Sequence, residues 1–292
     1  MTKPARLTST LLFTLLAWSA AGQNSLPADF KPEIANLYPS PNPPPNTLRI
    51  ISFNVHYAPE PLQLAENIRQ SAELAHADVF LIQEIEDYPS EGTSRTARLA
   101  AALKLNYVYA PARATDTGGT HGLAILSRYP VRDVTVIPLP QYNLRYNIRR
   151  RIALAVTLDV GPNSLRLYNL HLDTRLNAGE RREQLRPAAE RARTDPVPRV
   201  VVGGDFNTAP VRWLGHIFPI FYSRQAGGVD QFMRAHGFTT PLAKAGSTAR
   251  RFLLGLRLDT IYTRGLAVHA AGVAHSVEGS DHKPVWIEVS WP

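Results

Sequence analysis

Apolar residues fall into short runs set apart by two kinds of spacer. "LRIISFNV" (48–55), "DVFLIQEI" (78–85), "GLAILSR" (122–128), "RIALAVTLDV" (151–160) and "RVVVGGDF" (199–206) have the length and near-continuous hydrophobicity of buried strands. "LRLYNLHL" (165–172) alternates instead and pairs with the strand before it through the turn "GPNS". Between these runs the period changes. In "LQLAENIRQSAELAHA" (62–77), Leu64, Ile68, Ala72 and Ala75 share one face of a helix. "RTARLAAALKL" (95–105) reads as a second helix, and "GERREQLRPAAERAR" (179–193) as a charged one kinked or restarted at Pro187. "VDQFMRAHG" (229–237) is a short helix stopped by Gly237. "LRLDTIYTR" (256–264) and "PVWIEVSW" (284–291) close the series as strands. Hairpins mixed with helical crossovers predict two packed sheets with helices outside.

Both ends of the pattern differ from its middle. Lys3 and Arg6, the apolar run "LLFTLLAWSAA" (11–21) and the small residues Ser19 and Ala21 form a signal-peptide pattern over residues 1–21. That run is shorter than the ~20 residues a membrane span needs. The expected localisation is therefore exported, periplasmic or extracellular. Residues 22–46, with "YPSPNPPPNT", read as a proline-rich linker or surface wrap, and the domain proper as 47–292. The 292 residues include no cysteine, which excludes thiolate metal sites, cysteine nucleophiles and disulfides. A net charge of +8 suits a polyanionic partner such as nucleic acid or anionic lipid, although charge alone is also a solubility device.

The strands share one chemical habit: polar residues at their ends. Asn54, Glu84, His171 with Asp173, and Asp205 with Asn207 stand at or just beyond apolar runs. Asp259 lies within one, and Asp281 with His282 precedes the last. Any one of these is explained by a turn or a cap. Burying so many without partners would cost ~1–3 kcal/mol each. If the strand ends share one sheet edge, they satisfy one another and a bound cation. Oxygen donors without thiolates favour Mg2+, Mn2+ or Ca2+.

The ordered series "SFNVH", "FLIQEI", "GLAILSRYP", "NLHLD" followed by "RREQ", "GGDFNTAP", "RLDTIYT" and "GSDHKPV" resembles the endonuclease/exonuclease/phosphatase superfamily, across about residues 48–291. The resemblance implies an α+β, DNase I-like fold: a four-layer α/β/β/α sandwich of two packed mixed sheets flanked by helices. It also implies roles. Asn54, Glu84 and Asp281 would hold the metal, with Glu84 the principal carboxylate. Asp205 would orient and deprotonate the attacking water, and Asn207 would bind a phosphate oxygen. His282 would contact the scissile phosphate with Asp259 as its buried partner, and His171 would be a second catalytic histidine, a candidate general acid. Arg181 and Gln184 resemble an R-x-x-Q pair read as structural. The two glycines of "GGDFN" are expected to let the backbone pass close to phosphate.

Outside that series, "NLRYNIRRR" (143–151) and Arg250–Arg251 are basic clusters; Arg150 is the candidate contact to phosphates flanking the scissile one, with Tyr142 and Tyr146 placed to stack on bases. The remaining histidines are read as surface or packing residues, with His56 and His121 the first exceptions because they flank motif positions. "WLGHIFPIFY" (213–222) is an apolar stretch, expected as a packed loop or helix, or as a membrane-inserting hairpin if the substrate is a lipid. The reading is an exported metal-dependent phosphodiesterase acting on nucleic acid. The alternatives are a phospholipid or sphingomyelin phosphodiesterase, a phosphatase of small phosphoesters, and a non-enzymatic binder, which the intact site residues disfavour.

Overall fold

The computed structural model describes residues 31–144, 149–221, 224–251 and 254–292. The expected signal peptide and Tyr146 lie outside these. In chain order the elements are β1 (Glu33–Ala35), β2 (Thr47–Tyr57), α1 (Pro61–Gln70), β3 (Val79–Asp87), α2 (Arg95–Leu103), β4 (Asn106–Ala114), β5 (Thr120–Ser127), β6 (Val131–Pro138), β7 (Ile152–Val160) and β8 (Asn163–His171). Then come α3 (Ala178–Arg193), β9 (Val200–Asp205), β10 (Val211–Leu214), β11 (Phe218–Phe221), α4 (Gln225–Ala235), β12 (Ala249–Arg251), β13 (Leu254–Leu256), β14 (Asp259–Arg264), β15 (Ala267–Val273) and β16 (Val285–Ser290).

The strands form a seven-stranded sheet, order β1-β4-β5-β3-β2-β16-β15, and a five-stranded sheet, order β14-β9-β8-β7-β6. Each sheet is antiparallel except for one parallel pair, β2 with β3 and β8 with β9. Each parallel pair is joined through one helix, α1 or α3. Both strands of a parallel pair end at the same edge, so each βαβ unit delivers two strand ends to one place.

Strict alternation explains why the strands read as continuous apolar runs. Leu48, Ile50, Val79 and Leu81 meet Leu154, Val156, Leu167 and Val201 between the sheets. Ile51, Phe53, Phe80 and Ile82 face outward and are covered by Leu64, Ile68 and Leu99 of α1 and α2. On the far side, Ala153, Ala155, Val200 and Val202 pack against Leu185 and Ala189 of α3 and Val229 and Met233 of α4. The four layers follow from covering both faces of both sheets.

Near the site the inter-sheet core becomes polar. Gln83 Nε2 donates to Asn169 Oδ1 (2.7 Å) and Ser52 Oγ (3.2 Å), and Asn169 Nδ2 donates to the carbonyls of Ile82 (2.7 Å) and Ala124 (2.9 Å). All three side chains are fully buried. This network ties β2, β3 and β5 of one sheet to β8 of the other directly behind the site.

Several local expectations are corrected. α1 ends at Gln70, because Ser71 turns to extended backbone and its Oγ bonds Glu73. α3 runs unbroken through Pro187. Residues 33–35, inside the stretch read as linker, add the edge strand β1, and Asn36 exchanges two hydrogen bonds with Val131. The stretch expected as a packed loop or helix is the hairpin β10–β11, with Leu214, Phe218 and Ile220 exposed.

Candidate active site

The inter-sheet face ends in charge. Along β9 the residues on this face are Val201, Gly203 and Asp205; along β8 they are Leu167, Asn169 and His171; on β14 Asp259 precedes Ile261 by two. Register places Asp259 opposite Asp205, and Asp205 opposite His171. One row across three adjacent strands thus carries two carboxylates and an imidazole at the rim where the sandwich opens. Gly203 has a packing reason: a Cβ there would meet Leu81 Cδ1 of the other sheet at 2.6 Å. At Gly204, φ is +149° and a Cβ would lie 2.0 Å from the Leu170 carbonyl oxygen. The glycines bring strands together so that Asp205 can stand where it does.

Facing this row are the ends of β2 and β3. Asn54 Nδ2 donates to Asp205 Oδ2 at 3.1 Å, while its Oδ1 accepts the His56 N–H. Glu84 bulges out of the ladder between Gln83 and Ile85 with φ +59°, and its Oε1 lies 3.6 Å from His171 Nε2. Left-handed backbone recurs here: His56, Tyr57, Ala58, Glu84 and Asn207 all have positive φ. Such conformations cost energy in non-glycine residues and persist where the surroundings over-determine them. Asn207 is held by its N–H to Asp205 Oδ1 (2.8 Å) and its side-chain amide to the Leu172 carbonyl (2.9 Å).

The loop before β16 supplies the last partners. Ser280 Oγ donates to the Asn54 carbonyl and accepts the His282 N–H, which fixes the loop to β2. His282 Nδ1 is 2.8 Å from Asp259 Oδ2, and its Nε2 is 3.8 Å from Asp205 Oδ2. Asp281 turns its carboxylate to His56 Nδ1 at 3.3 Å and is nearly half exposed.

Electrostatics divide the groups. Burial alone would push His282 down, but Asp259 and Asp205 overcome it and raise its pKa to about 10. Burial, then the Asp259 charge, lifts Asp205 to about 7. Burial would also lift Glu84, yet His121, the Asn54 amide and Arg151 hold it below its ordinary value. His171 is pushed well below its ordinary value by burial and then by Arg151 and His121. It is therefore a neutral imidazole in the protein alone, whereas its assignment as general acid needs a proton on it.

The residues fit a hard divalent cation. Asp259 Oδ1 is buried without a partner, and ligand atoms of Asp205, Asp259 and His282 lie within 4.8 Å of one another. A protonated His282 has no lone pair to offer, so that trio is the poorer seat. The ionised Glu84 beside Asn54, all oxygen donors, is the better one.

Reasoning from sequence passed over Arg113, and it flagged His121 and the cluster holding Arg149 and Arg151 without giving these three a role. His121 is buried opposite Glu86 in the β3–β5 ladder, with Nδ1 3.3 Å from Glu86 Oε1. The pairing of a histidine at the start of one strand with the acidic end of another was the available signal. Arg150 donates to the Ala112 carbonyl (2.9 Å), while its neighbour Arg151 bonds Asp173 (2.7 Å). Asp173 is thus no local cap: it is fully buried and is also held by Gln184. Arg181, fully buried in α3, donates to the carbonyls of Asp173 and Phe206, so the R-x-x-Q pair braces the two backbone segments that carry site residues.

Comparison with known proteins places this geometry. The family model described as "Endonuclease/Exonuclease/phosphatase family" matches residues 51–282. The chain belongs to this family. Its members are phosphoester hydrolases. Among solved structures, the chain is similar to an endonuclease/exonuclease/phosphatase from Beutenbergia cavernae, at 23% identity and TM-score 0.65, over 85% of this chain and 72% of that one. It is also similar to D. rerio TDP2 complexed with a single-strand DNA product, at 16% identity, TM-score 0.62 and coverage of 84% and 100%. The human Nocturnin catalytic domain with bound sulfate gives 16% identity, TM-score 0.61 and coverage of 92% and 100%. At these identities the likeness shows the shared fold, two mixed sheets flanked by helices. No curated protein matches.

Proposed function

We propose that the protein is an exported, divalent-metal-dependent phosphodiesterase that hydrolyses nucleic acid. The observation that carries the chemistry is the row Asp259–Asp205–His171 with His282 set against its two carboxylates. Asp205, raised to about 7, is matched to taking a proton from water near neutral pH. The Asn54 amide orients that carboxylate. Protonated His282, fixed by Asp259, presents positive charge to the phosphate as negative charge develops on it. His171 starts neutral; a phosphate anion beside it favours its protonation, so substrate binding can prepare it to donate to the leaving oxygen. Glu84 with Asn54 would hold the cation, Mg2+ or else Mn2+ or Ca2+, whereas Asp281, also expected as a ligand, turns to His56. When bound, the cation supplies Lewis-acid neutralisation of phosphate oxygens.

Nucleic acid as substrate is supported by the net charge of +8, by the arginines beside the site and by the TDP2 relative bound to DNA product. Plasmid DNA, RNA and sphingomyelin vesicles assayed in parallel, with and without EDTA, test the reading. Metal-dependent nucleic-acid cleavage is expected; cleavage of vesicles alone would move the substrate to lipid. One observation favours that second reading: the hairpin β10–β11 exposes Leu214, Phe218 and Ile220 beside the "GDFN" loop. A mature protein beginning near residue 22, read by N-terminal sequencing from the exported fraction, tests export.

A further inference from the structure

Buried polar atoms continue beyond the His171 end of the catalytic row. His121 Nε2, His171 Nε2 and Arg151 Nη2 are all buried without a hydrogen-bond partner. Their residues line one small cavity together with Ala112 and Gly122. His121 and Arg151 are each held from behind, by Glu86 and Asp173, which fixes the directions of Arg151 Nη2 and His121 Nε2; His121 gives its Nδ1 proton to Glu86, so its Nε2 becomes a donor only when an anion beside it favours a second proton. Arg113 and Arg149 stand within electrostatic reach of Arg151 and of each other, and the crowding of like charges, after burial, depresses both guanidiniums. The carboxylates near this flank, Glu84, Glu86 and Asp173, are already engaged with Asn54 and His171, His121 and Tyr88, and Arg151 and Gln184. Buried polar atoms left unpaired by the fold call for a water or an ion, and the arginines crowded around these favour an anion.

We propose that His121, Arg113, Arg149 and Arg151 form a second phosphate seat, adjoining the one where the ester is cut. The preferred substrate then carries at least two phosphates, the second beside the scissile one, rather than an isolated phosphodiester. This rests on the phosphodiesterase reading and narrows its substrate class. The cavity takes an oxygen-sized group, so a non-bridging phosphate oxygen would enter it; Arg113, next to the lining residue Ala112, and Arg149, two residues before Arg151, are half-buried and would meet the remainder. Recognition is by fixed buried donors, so it discriminates more sharply than the long-range field of a basic surface.

The test compares two chromogenic substrates: thymidine 5′-(p-nitrophenyl phosphate), and the same compound carrying a 3′-phosphate. The protein is expected to prefer the second by about tenfold or more in kcat/KM, as one or two charge-assisted hydrogen bonds provide. In His121→Gln and in Arg149→Ala that ratio is expected to fall towards one. Arg149 is partly exposed, so its variant remains informative if the His121 variant folds poorly. A ratio near one in the unaltered protein, or a ratio unchanged in both variants, overturns the seat. Binding of inorganic pyrophosphate and of phosphate by calorimetry is independent of turnover. Tighter pyrophosphate binding that weakens in Arg149→Ala upholds the seat even if neither ester is cut, in which case only the phosphodiesterase reading falls. Pyrophosphate that binds no better than phosphate counts against the seat.

Discussion

The two flanks of the site use the same residue type in opposite ways. On one flank, His282 sits between two carboxylates and keeps its proton to about pH 10. On the other, His171 and His121 sit among arginines and are pushed below their ordinary values, burial being the largest cause for each. The acidic flank is largely closed on itself: His282 bonds Asp259, Asn54 bonds Asp205, and His282 Nε2 stands 3.8 Å from Asp205, leaving Asp259 Oδ1 unmet. The cationic flank is left open, with its donors unmet. A preorganised acidic half and an incomplete basic half are what a protein needs to bind an anion and then cut it. The first half holds charge that must be present at the transition state, and the second is completed only by substrate.

Substitutions can break this contrast. Asp205→Ala and His282→Ala should each lower kcat by about 10³-fold or more with the circular dichroism spectrum unchanged. His171→Ala should cost less, about 10- to 100-fold; equal losses at His171 and His282 would mean that the flanks are not distinct. Glu84→Gln should raise the Mg2+ concentration for half-maximal activity by about tenfold or more while leaving phosphate binding near wild type. Removing the clamp behind both flanks, by Asn169→Leu, orphans several buried groups and should destabilise by about 2–4 kcal/mol in urea unfolding.

The acidic flank also sets a pH trend for chelator-treated protein. Asp205 has its pKa raised from 3.8 to about 7, so the fold holds that proton more tightly than the unfolded chain, and stability falls as pH rises through this window. His282 is raised from 6.5 to about 10, so its contribution is full below 6.5 and disappears as pH approaches 10. Depressed His171 and His121 act in the opposite sense, so the test is the difference: between pH 4 and 7 the melting temperature of the unaltered protein should fall relative to that of Asp205→Asn. The smallest effect is expected at the hairpin. Phe218→Ser, at an exposed position, should change stability by under about 0.5 kcal/mol, and a drop in vesicle binding would strengthen the lipid reading.

The central strands were legible because both of their faces are covered, so β2, β3, β7 and β9 carry apolar residues without a break. The peripheral ones were not. β4 contains Pro111 and four residues outside the aliphatic pattern, β6 is bulged at the left-handed Asp133, and β15 is a half-exposed edge of small residues. α4 begins four residues earlier than its apolar period, because buried Gln225 anchors its first turn through Arg181 and the Val211 carbonyl. In the site, residues at strand ends could be picked out since they interrupt apolar runs. His121 and Arg151 could not, because each gains meaning only from a partner, Glu86 or Asp173, brought in by the ladder or by a loop. Motif context likewise could not show that the paired glycines also serve sheet contact.

The three residues of β1 have a role out of proportion to their number. They lie along the outer side of β4, antiparallel to Tyr107–Tyr109, and so occupy backbone groups that would otherwise face outward. Cutting the protein back to Leu48, as motif boundaries invite, would uncover the margin of β4 at Tyr107–Tyr109, a strand edge able to recruit the same strand from another molecule. The tail ahead of the domain thus acts as a guard against self-association, and a shortened version should sediment as larger species while the full chain does not.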